Sequence, residues 1–283
     1  MTTLWQSRPL RKLLGDRLAV VCLVVIALYA IVACLVATGL LAGNHDARVG
    51  DNYLQPTGAS WQLWLGTDRQ GRSILVRTLY SVKIAFQVGL VTALVSVTLG
   101  GLLGALAGYL GKRIDDAVVY AYSTVQSIPY LLLVMILSYI AGKGLTGIYV
   151  AFCATFWVGP CRVVRGEVLT LRETDHVQAA RAVGASTARI LLRHILPNTF
   201  HLLLVYFALI FINAIKSEVI LSFLGLGVQG EASWGIMISQ ARAELVNGFY
   251  WQIGAATAAM FGLVLSFNLF SDALQDALDP RST

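Results

Sequence analysis

The chain has 283 residues, 57% of them apolar and only 13% charged, with a formal net charge of +6. Soluble domains carry about 25% charged residues, so this composition, with a mean hydropathy of +0.71, excludes an ordinary soluble domain and points to an integral membrane protein. A transmembrane barrel is excluded as well, because no run of about ten residues alternates with period two.

A helix crosses a bilayer core of about 30 Å with about 20 apolar residues. The first such run, 18–44, follows Arg8, Arg11, Lys12 and Arg17. A signal peptide has an apolar core of only about 7–15 residues, so this run reads as a permanent span over 18–42, with 1–17 as a cytoplasmic N-terminus. The next segment, 43–83, is the longest outer excursion. Its Thr67-Asp68-Arg69-Gln70 fits a capping box and predicts a helix along the interface, basic at 69, 72 and 77.

The second span, 84–110, carries Gly100, Gly104 and Gly108. Glycines four apart strip one helix face for close backbone approach, which predicts helix packing there. The third span, 117–141, contains Pro129, and the fourth, 145–165, contains Pro160. Either proline can kink its helix where neighbours satisfy the freed carbonyl. A fifth span, 199–224, holds Asn213, Lys216 and Glu218, and a sixth covers 248–271. The expected fold is therefore all-α and polytopic: six transmembrane helices in a single domain over 18–281, in contact with the lipid bilayer.

Lys/Arg bias places 1–17, 112–116, 162–198 and the C-terminal tail in the cytoplasm. Segment 162–198 holds Arg162, Arg165, Arg172, Arg181, Arg189 and Arg193, whereas 225–250 holds only Arg242. Arg48, Arg69, Arg72 and Arg77 in the first outer loop run against the rule.

Ionisable groups inside a membrane are costly and face a cavity or a partner. Lys216 and Glu218 stand two apart and so point to different faces. For Lys216, snorkelling toward the outer interface and lining a translocation path are both open. Glu218 suits a path or a helix contact. The histidines at 45, 176, 194 and 201 lie outside mid-membrane and read as surface or interface groups. Cys22, Cys34, Cys153 and Cys161 show no metal-ligand spacing and read as buried apolar residues, so no metal site is expected. Asp272, Asp276 and Asp279 read as solvated carboxylates closing the last span.

Segment 166–198 is the part that a simple bundle does not explain. It reads as two short helices. Asp175 can cap the first, with Gln178 three residues on, and Gly184 tolerates the left-handed conformation that ends helices. Ser186 can cap the second, whose Ile190, Leu191 and Ile195 predict an apolar side laid on lipid. Ala179, Ala180 and Ala182 on the first helix let another protein's surface come close.

The spacing Gln178-Ala179-Ala180, Gly184 and Leu196-Pro197 resembles the coupling segment of permease subunits of binding-protein-dependent ABC importers. LGTDRQGRS (65–73), AAR-VGAS with RHILPN (193–198), LSFLGLG (221–227), SWG (233–235) and NLF-DAL-DALDPR (268–281) resemble the dipeptide, oligopeptide and nickel class, in the right order along the chain. The resemblance implies a C-type permease of a bacterial inner-membrane importer, multi-pass and non-catalytic. Asp175, His176, Gln178, Ala179, Ala180, Arg181, Gly184, Ala185, Leu196 and Pro197 would then meet a cytoplasmic ATPase. It further implies a second homologous permease, one or two such ATPases carrying ATP and Mg, and an external substrate-binding protein. No nucleic acid enters this reading, and no cofactor is expected in this chain.

Three positions depart from the pattern. Gln178 replaces the usual Glu and loses its charge, Ser73 stands where Asp is common, and Lys216 occupies a normally apolar position. No GxxxxGK[ST] occurs, in keeping with ATP bound elsewhere. A secondary transporter would show inverted repeats and mid-membrane ionisable sites, and an intramembrane hydrolase a GxSxG or paired carboxylates at mid-depth; none is evident. RHILPN and LSFLGLG favour peptides over nickel chelates, by resemblance alone.

Overall fold

The structure is a computed structural model that describes residues 13–278. Helix α1 (Arg17–Ala37) opens on Asp16, whose carboxylate accepts the Leu18 N–H at 2.9 Å. It is followed by α2 (Ile74–Leu110), α3 (Lys112–Gln126), α4 (Tyr130–Ile140), α5 (Leu145–Phe156) and α6 (Val158–Leu171). Two short helices, α7 (Asp175–Ala182) and α8 (Thr187–Ile190), form an elbow that leads into α9 (Leu196–Phe223). Beyond it lie α10 (Trp234–Val246) and α11 (Trp251–Leu278). Among the described residues the only β pairing consists of two isolated bridges, Arg48–Arg72 and Thr67–Ser73.

Five stretches are long and apolar enough to cross a membrane: 17–37, 74–110, 145–171, 187–223 and 251–278. A sixth is formed if α3 and α4, bent by 94° at their junction, are counted as one. The expected third span is thus a broken one. Ile128 precedes a proline and is pushed out of the helical region, while Pro129 has no N–H to continue the ladder. Ser127 instead closes α3 on the carbonyls of Ser123 and Thr124. Pro160 has no such effect, because it lies in the first turn of α6, where its N–H is not needed.

Helix α2 is the axis of the bundle and packs against α1, α5, α6, α9 and α11. It begins at Ile74, well ahead of the charge-free run at 84, and its 37 residues extend roughly 55 Å, more than a bilayer core requires. No capping box forms at Thr67: Ser73 is the cap, its hydroxyl accepting the Val76 N–H at 3.1 Å. A short side-chain acceptor suffices at a cap, so Ser73 serves where aspartate would. The expected interfacial helix is therefore simply the first turns of α2.

Buried apolar side chains form several clusters along this axis. Phe211 of α9 stacks on Phe267 of α11 at 4.3 Å and lies against Gly89, where a Cβ would come within 2.8 Å of its ring. The glycine stripe faces α6. A Cβ on Gly100 would lie 2.4 Å from the Trp157 carbonyl, one on Gly104 2.4 Å from that of Cys161, and one on Gly108 2.8 Å from that of Arg165. Backbone cannot yield at such distances, so only glycine permits this approach.

Candidate coupling elbow and solute groove

The elbow is a built structure. α7 begins after Thr174, whose side chain makes no cap bond, so Asp175 sits in the first turn and is not the cap. A carboxylate there still favours the positive end of the helix. The helix ends in a Schellman motif: Ala185 N–H donates to Ala180 O and Gly184 N–H to Arg181 O, both at 3.0 Å, with Gly184 at φ +79°. Ser186 then caps α8 by accepting the Arg189 N–H. One wide turn, Leu191–Ile195, follows before Leu196 and Pro197 open α9, and Leu196 N–H reaches back to Leu191 O across it.

The apolar side of α8 does not lie on lipid. Ile190, Leu191 and Ile195 are buried with Val177 against Ala105 and Tyr109 of α2 and Val164 and Val168 of α6, and Ala180 and Ala185 pack on the same cluster. The reason is that the glycine-lined seam between α2 and α6 ends in an apolar cleft, which these side chains fill. What α7 leaves exposed is Asp175, His176, Gln178, Ala179, Arg181 and Ala182, together with Val183 at 83% exposure. Gln178 Nε2 donates to the Arg172 carbonyl at 3.0 Å, a bond that a glutamate could not make. Arg172 in turn donates to the Gly108 carbonyl at 3.1 Å, satisfying the end of α2, and Arg181 lies over the Tyr109 ring at 5.5 Å.

A groove of about 810 Å³ opens where α3 breaks into α4. Gln126, Ser127 and Pro129 form one side, Phe156, Gly159 and Pro160 a second, and Tyr206, Ile210 and Asn213 of α9 the third. The structure therefore brings Asn213 and both prolines into one site. Lys216 stands one turn further along α9, exposed and without an ion-pair partner among the described residues. Next to it, Ser217 Oγ accepts the Tyr130 hydroxyl at 2.9 Å.

Glu218 is not on this surface. It is 1% exposed and accepts the Ser222 hydroxyl at 2.6 Å, while Ser222 Oγ accepts the Val228 N–H at 3.2 Å. A Cβ on Gly235 would meet Ser222 at 2.6 Å, and Gly227 presses on the same serine. LSFLGLG and SWG thus close around Glu218, whose buried carboxylate accepts the Ser222 hydroxyl.

The far end also holds two of the arginines of the first loop. Asp68, 1% exposed, accepts N–H bonds from Gln70 and Arg72 and pairs with Arg72 Nε at 2.7 Å. Arg77, 2% exposed, reaches Asp46 at 3.3 Å and Gln240 of α10 at 3.2 Å. Two of the four first-loop arginines, Arg72 and Arg77, are thus held in buried pairs, whereas Arg48 and Arg69 stay exposed and still run against the Lys/Arg bias. Glu244 of α10 accepts the Arg69 N–H at 3.2 Å, and its burial holds its pKa above the usual carboxylate range. His45 stacks on Tyr80 at 3.6 Å, and burial lowers its pKa against the opposing pull of Asp46 and Glu231. Tyr80 in turn donates to Glu231 and is approached by Lys83.

Comparison with known proteins bears on this geometry directly. Residues 100–283, which include the elbow and the groove, match the family described as the binding-protein-dependent transport system inner membrane component. The chain belongs to this family. It is 39% identical over 219 residues to the dipeptide transport system permease protein of Bacillus subtilis (strain 168), covering 77% of this chain and 68% of that one. It is 34% identical over 284 residues to the oligopeptide transport system permease protein of the same organism, covering 99% and 90%. The oligopeptide transport system permease protein of Haemophilus influenzae is 34% identical over 281 residues, covering 99% and 89%. A solved chain from inward-facing MetNI methionine ABC transporter superposes with a TM-score of 0.59 over 73% of this chain and 97% of that one, at 17% identity. At that identity the likeness is one of fold. This family member is a multi-pass membrane protein, and the first span, outside the matched family region, is covered by the relatives that align almost end to end.

Asp279 and Pro280 lie outside the described residues, as do Arg8, Arg11 and Lys12. Sequence reasoning missed Arg77, Arg165 and Asp115. Each is an ordinary charged residue whose meaning depends on a partner distant in the chain.

Proposed function

We propose that this permease forms half of the solute path of an ATP-driven importer for di- or oligopeptides in a bacterial inner membrane. A second, homologous permease completes the path, one or two cytoplasmic ATPases supply the energy, and an external binding protein delivers the solute. The observation that carries this reading is α7: a short helix held rigidly by Val177, Schellman-capped at Gly184, with small side chains turned outward. A helix of that kind suits a groove on another protein. The groove at the α3–α4 break, lined by Gln126, Ser127 and Asn213 among apolar neighbours, supplies polar groups of the kind a peptide backbone in transit requires.

The deciding experiment is gentle affinity purification of the tagged chain from native membranes, followed by mass spectrometry and a peptide-uptake assay in proteoliposomes. A second permease and ATPase at near-stoichiometric amounts, with ATP-dependent uptake of a tripeptide, is the expected result. A chain that purifies alone and moves solute on an ion gradient overturns the reading.

A further inference from the structure

We infer that the Arg165–Asp115 ion pair is the positioning link that carries movement of the elbow into the groove, by making α3 travel with α6. The inference rests on the importer reading above and adds to it the route of transmission.

Helix α3 is set apart from its neighbours by how little of it is buried. None of its residues is fully buried, and Tyr120 is 76% exposed. Both of its ends are corners. At one, Gly111 (φ 62°) and Lys112 (φ 51°) turn the chain away from α2; at the other, the Pro129 break bends it by 94° into α4. A helix between two corners, with no buried face, is a strut whose tilt is decided by whatever holds its side.

That hold comes from α6. Val118, Tyr122 and Val125 form a narrow stripe, at the four- and three-residue spacing of one helix face, against Trp157, Val158 and Cys161. Polar bridges flank the stripe. Arg165 makes a two-pronged contact with Asp115, through Nε to Oδ1 and through NH2 to Oδ2 at 2.7 Å. Arg162 donates to Gln126 at 3.1 Å and lies 5.8 Å from the Tyr122 ring centre. A fork-on-fork guanidinium–carboxylate pair fixes distance and angle together, which a single neutral hydrogen bond does not. Arg165 and Asp115 are partly withdrawn from solvent, at 24% and 19% exposure, so screening weakens them somewhat less than a fully exposed pair.

Both ends of the linkage are functional. α6 runs directly into the elbow, and Arg172, just past its last residue, is bound to the end of α2. The groove, in turn, is lined from α3 by Val125 and Gln126 and from α6 by Val158, Gly159 and Pro160. A displacement of α7 by a docked ATPase therefore reaches α6 first and α3 through the contacts between the two helices, of which the Arg165–Asp115 pair is the one that fixes both distance and angle. With the bridge intact, the groove wall moves as one piece; without it, α6 moves and α3 lags.

The test uses the purified complex in proteoliposomes with its binding protein, and a labelled trialanine peptide as the probe. Asp115→Ala and Arg165→Ala should each lower the number of peptides moved per ATP hydrolysed by at least about fivefold, the low end of ordinary coupling between sites. The charge-swapped double variant Asp115→Arg/Arg165→Asp should recover most of that ratio, and the two alanine variants together should be no worse than either alone. Spin labels at Ile114→Cys and Gly166→Cys, both exposed positions, supply a second reading that needs no peptide. Their separation should be the same with and without ATP in the parent protein and should spread in Arg165→Ala. An unchanged transport ratio in the single variants, an unchanged distance distribution in Arg165→Ala, or a swap that restores nothing overturns the inference. Loss of partner subunits in the single variants does so too, because the pair would then be a structural tie. A parent complex that lacks ATPase or carries no peptide fails the importer reading instead, a distinct result.

Discussion

At the scale of single residues, the buried charges Asp68 and Arg77 are held in a fixed cluster. Arg77 is tolerated near the end of a long apolar helix because Asp46, Asp68 and Gln240 surround it. Gln178 holds the elbow by donating to the Arg172 carbonyl, so its neutrality, a departure from the family pattern, has a local use. His45, at the far end, is a group whose protonation bears on stability. It faces Asp46, Glu231, Arg77 and Lys83, and burial keeps its folded-state pKa below the usual value of about 6.5. The unfolded chain then binds the proton more readily, so stability is full above that usual value and is lost as pH falls toward the folded-state pKa. Glu244, with its raised pKa, works in the opposite sense, gaining stability as pH falls. Comparison with His45→Phe isolates the histidine. The melting temperature in detergent should fall more between pH 7.5 and about 5 for the parent than for the variant. Equal falls in both would show that His45 does not contribute.

At the scale of elements, the seam between α2 and α6 determines whether the bundle forms. Gly104 meets backbone at 2.4 Å, and no rotamer change relieves a Cβ there. Gly104→Val should cost at least about 2 kcal/mol, within the range for overpacking a tight core, and lower the yield of folded protein in detergent. Gly166→Ala on α6, where nothing lies within 4 Å, should be neutral or slightly stabilising through helix propensity. Thermal unfolding of the two variants side by side measures this contrast. The two prolines belong to the same scale. Pro129 breaks a helix because it sits between turns, and Pro160 does not because it sits in a first turn, a distinction of position within the helix and not of residue type.

At the scale of the whole molecule, the elbow is an outgrowth of the core, anchored where the α2–α6 seam ends. Substitutions on its two sides should therefore separate. Ala179 is exposed, so Ala179→Trp should leave insertion and melting temperature unchanged while lowering both ATPase co-purification and uptake more than tenfold, in line with a steric block at a docking surface. Val177 is buried in the cluster, and Val177→Asp should destabilise the protein itself, by about 2 kcal/mol or more for an unpaired carboxylate in an apolar site. If Ala179→Trp retains full uptake, the outward face of α7 is not the docking face.

The sequence by itself determined the solvent of this protein, its helical class, the end of α7 at Gly184 and the glycine face of α2. Each of these follows from composition or from periodicity within about one helix, where the cause lies in neighbouring residues. It also carried the family resemblance, through short motifs whose order along the chain is visible without a fold. The choice for Glu218 between a path and a helix contact, and the readings of α8 on lipid and Asp175 as a cap, depended on what lies across from them, and the sequence does not place those neighbours. Only the tertiary structure decided that Glu218 is knotted to Ser222, that Ile190 and Ile195 fill the cleft at the foot of α2, and that Asn213 shares a groove with Pro129 and Pro160. Asp115 and Arg165 are fifty positions apart. A pairing of that separation is set by how α3 and α6 pack, so it exists only once the bundle has formed.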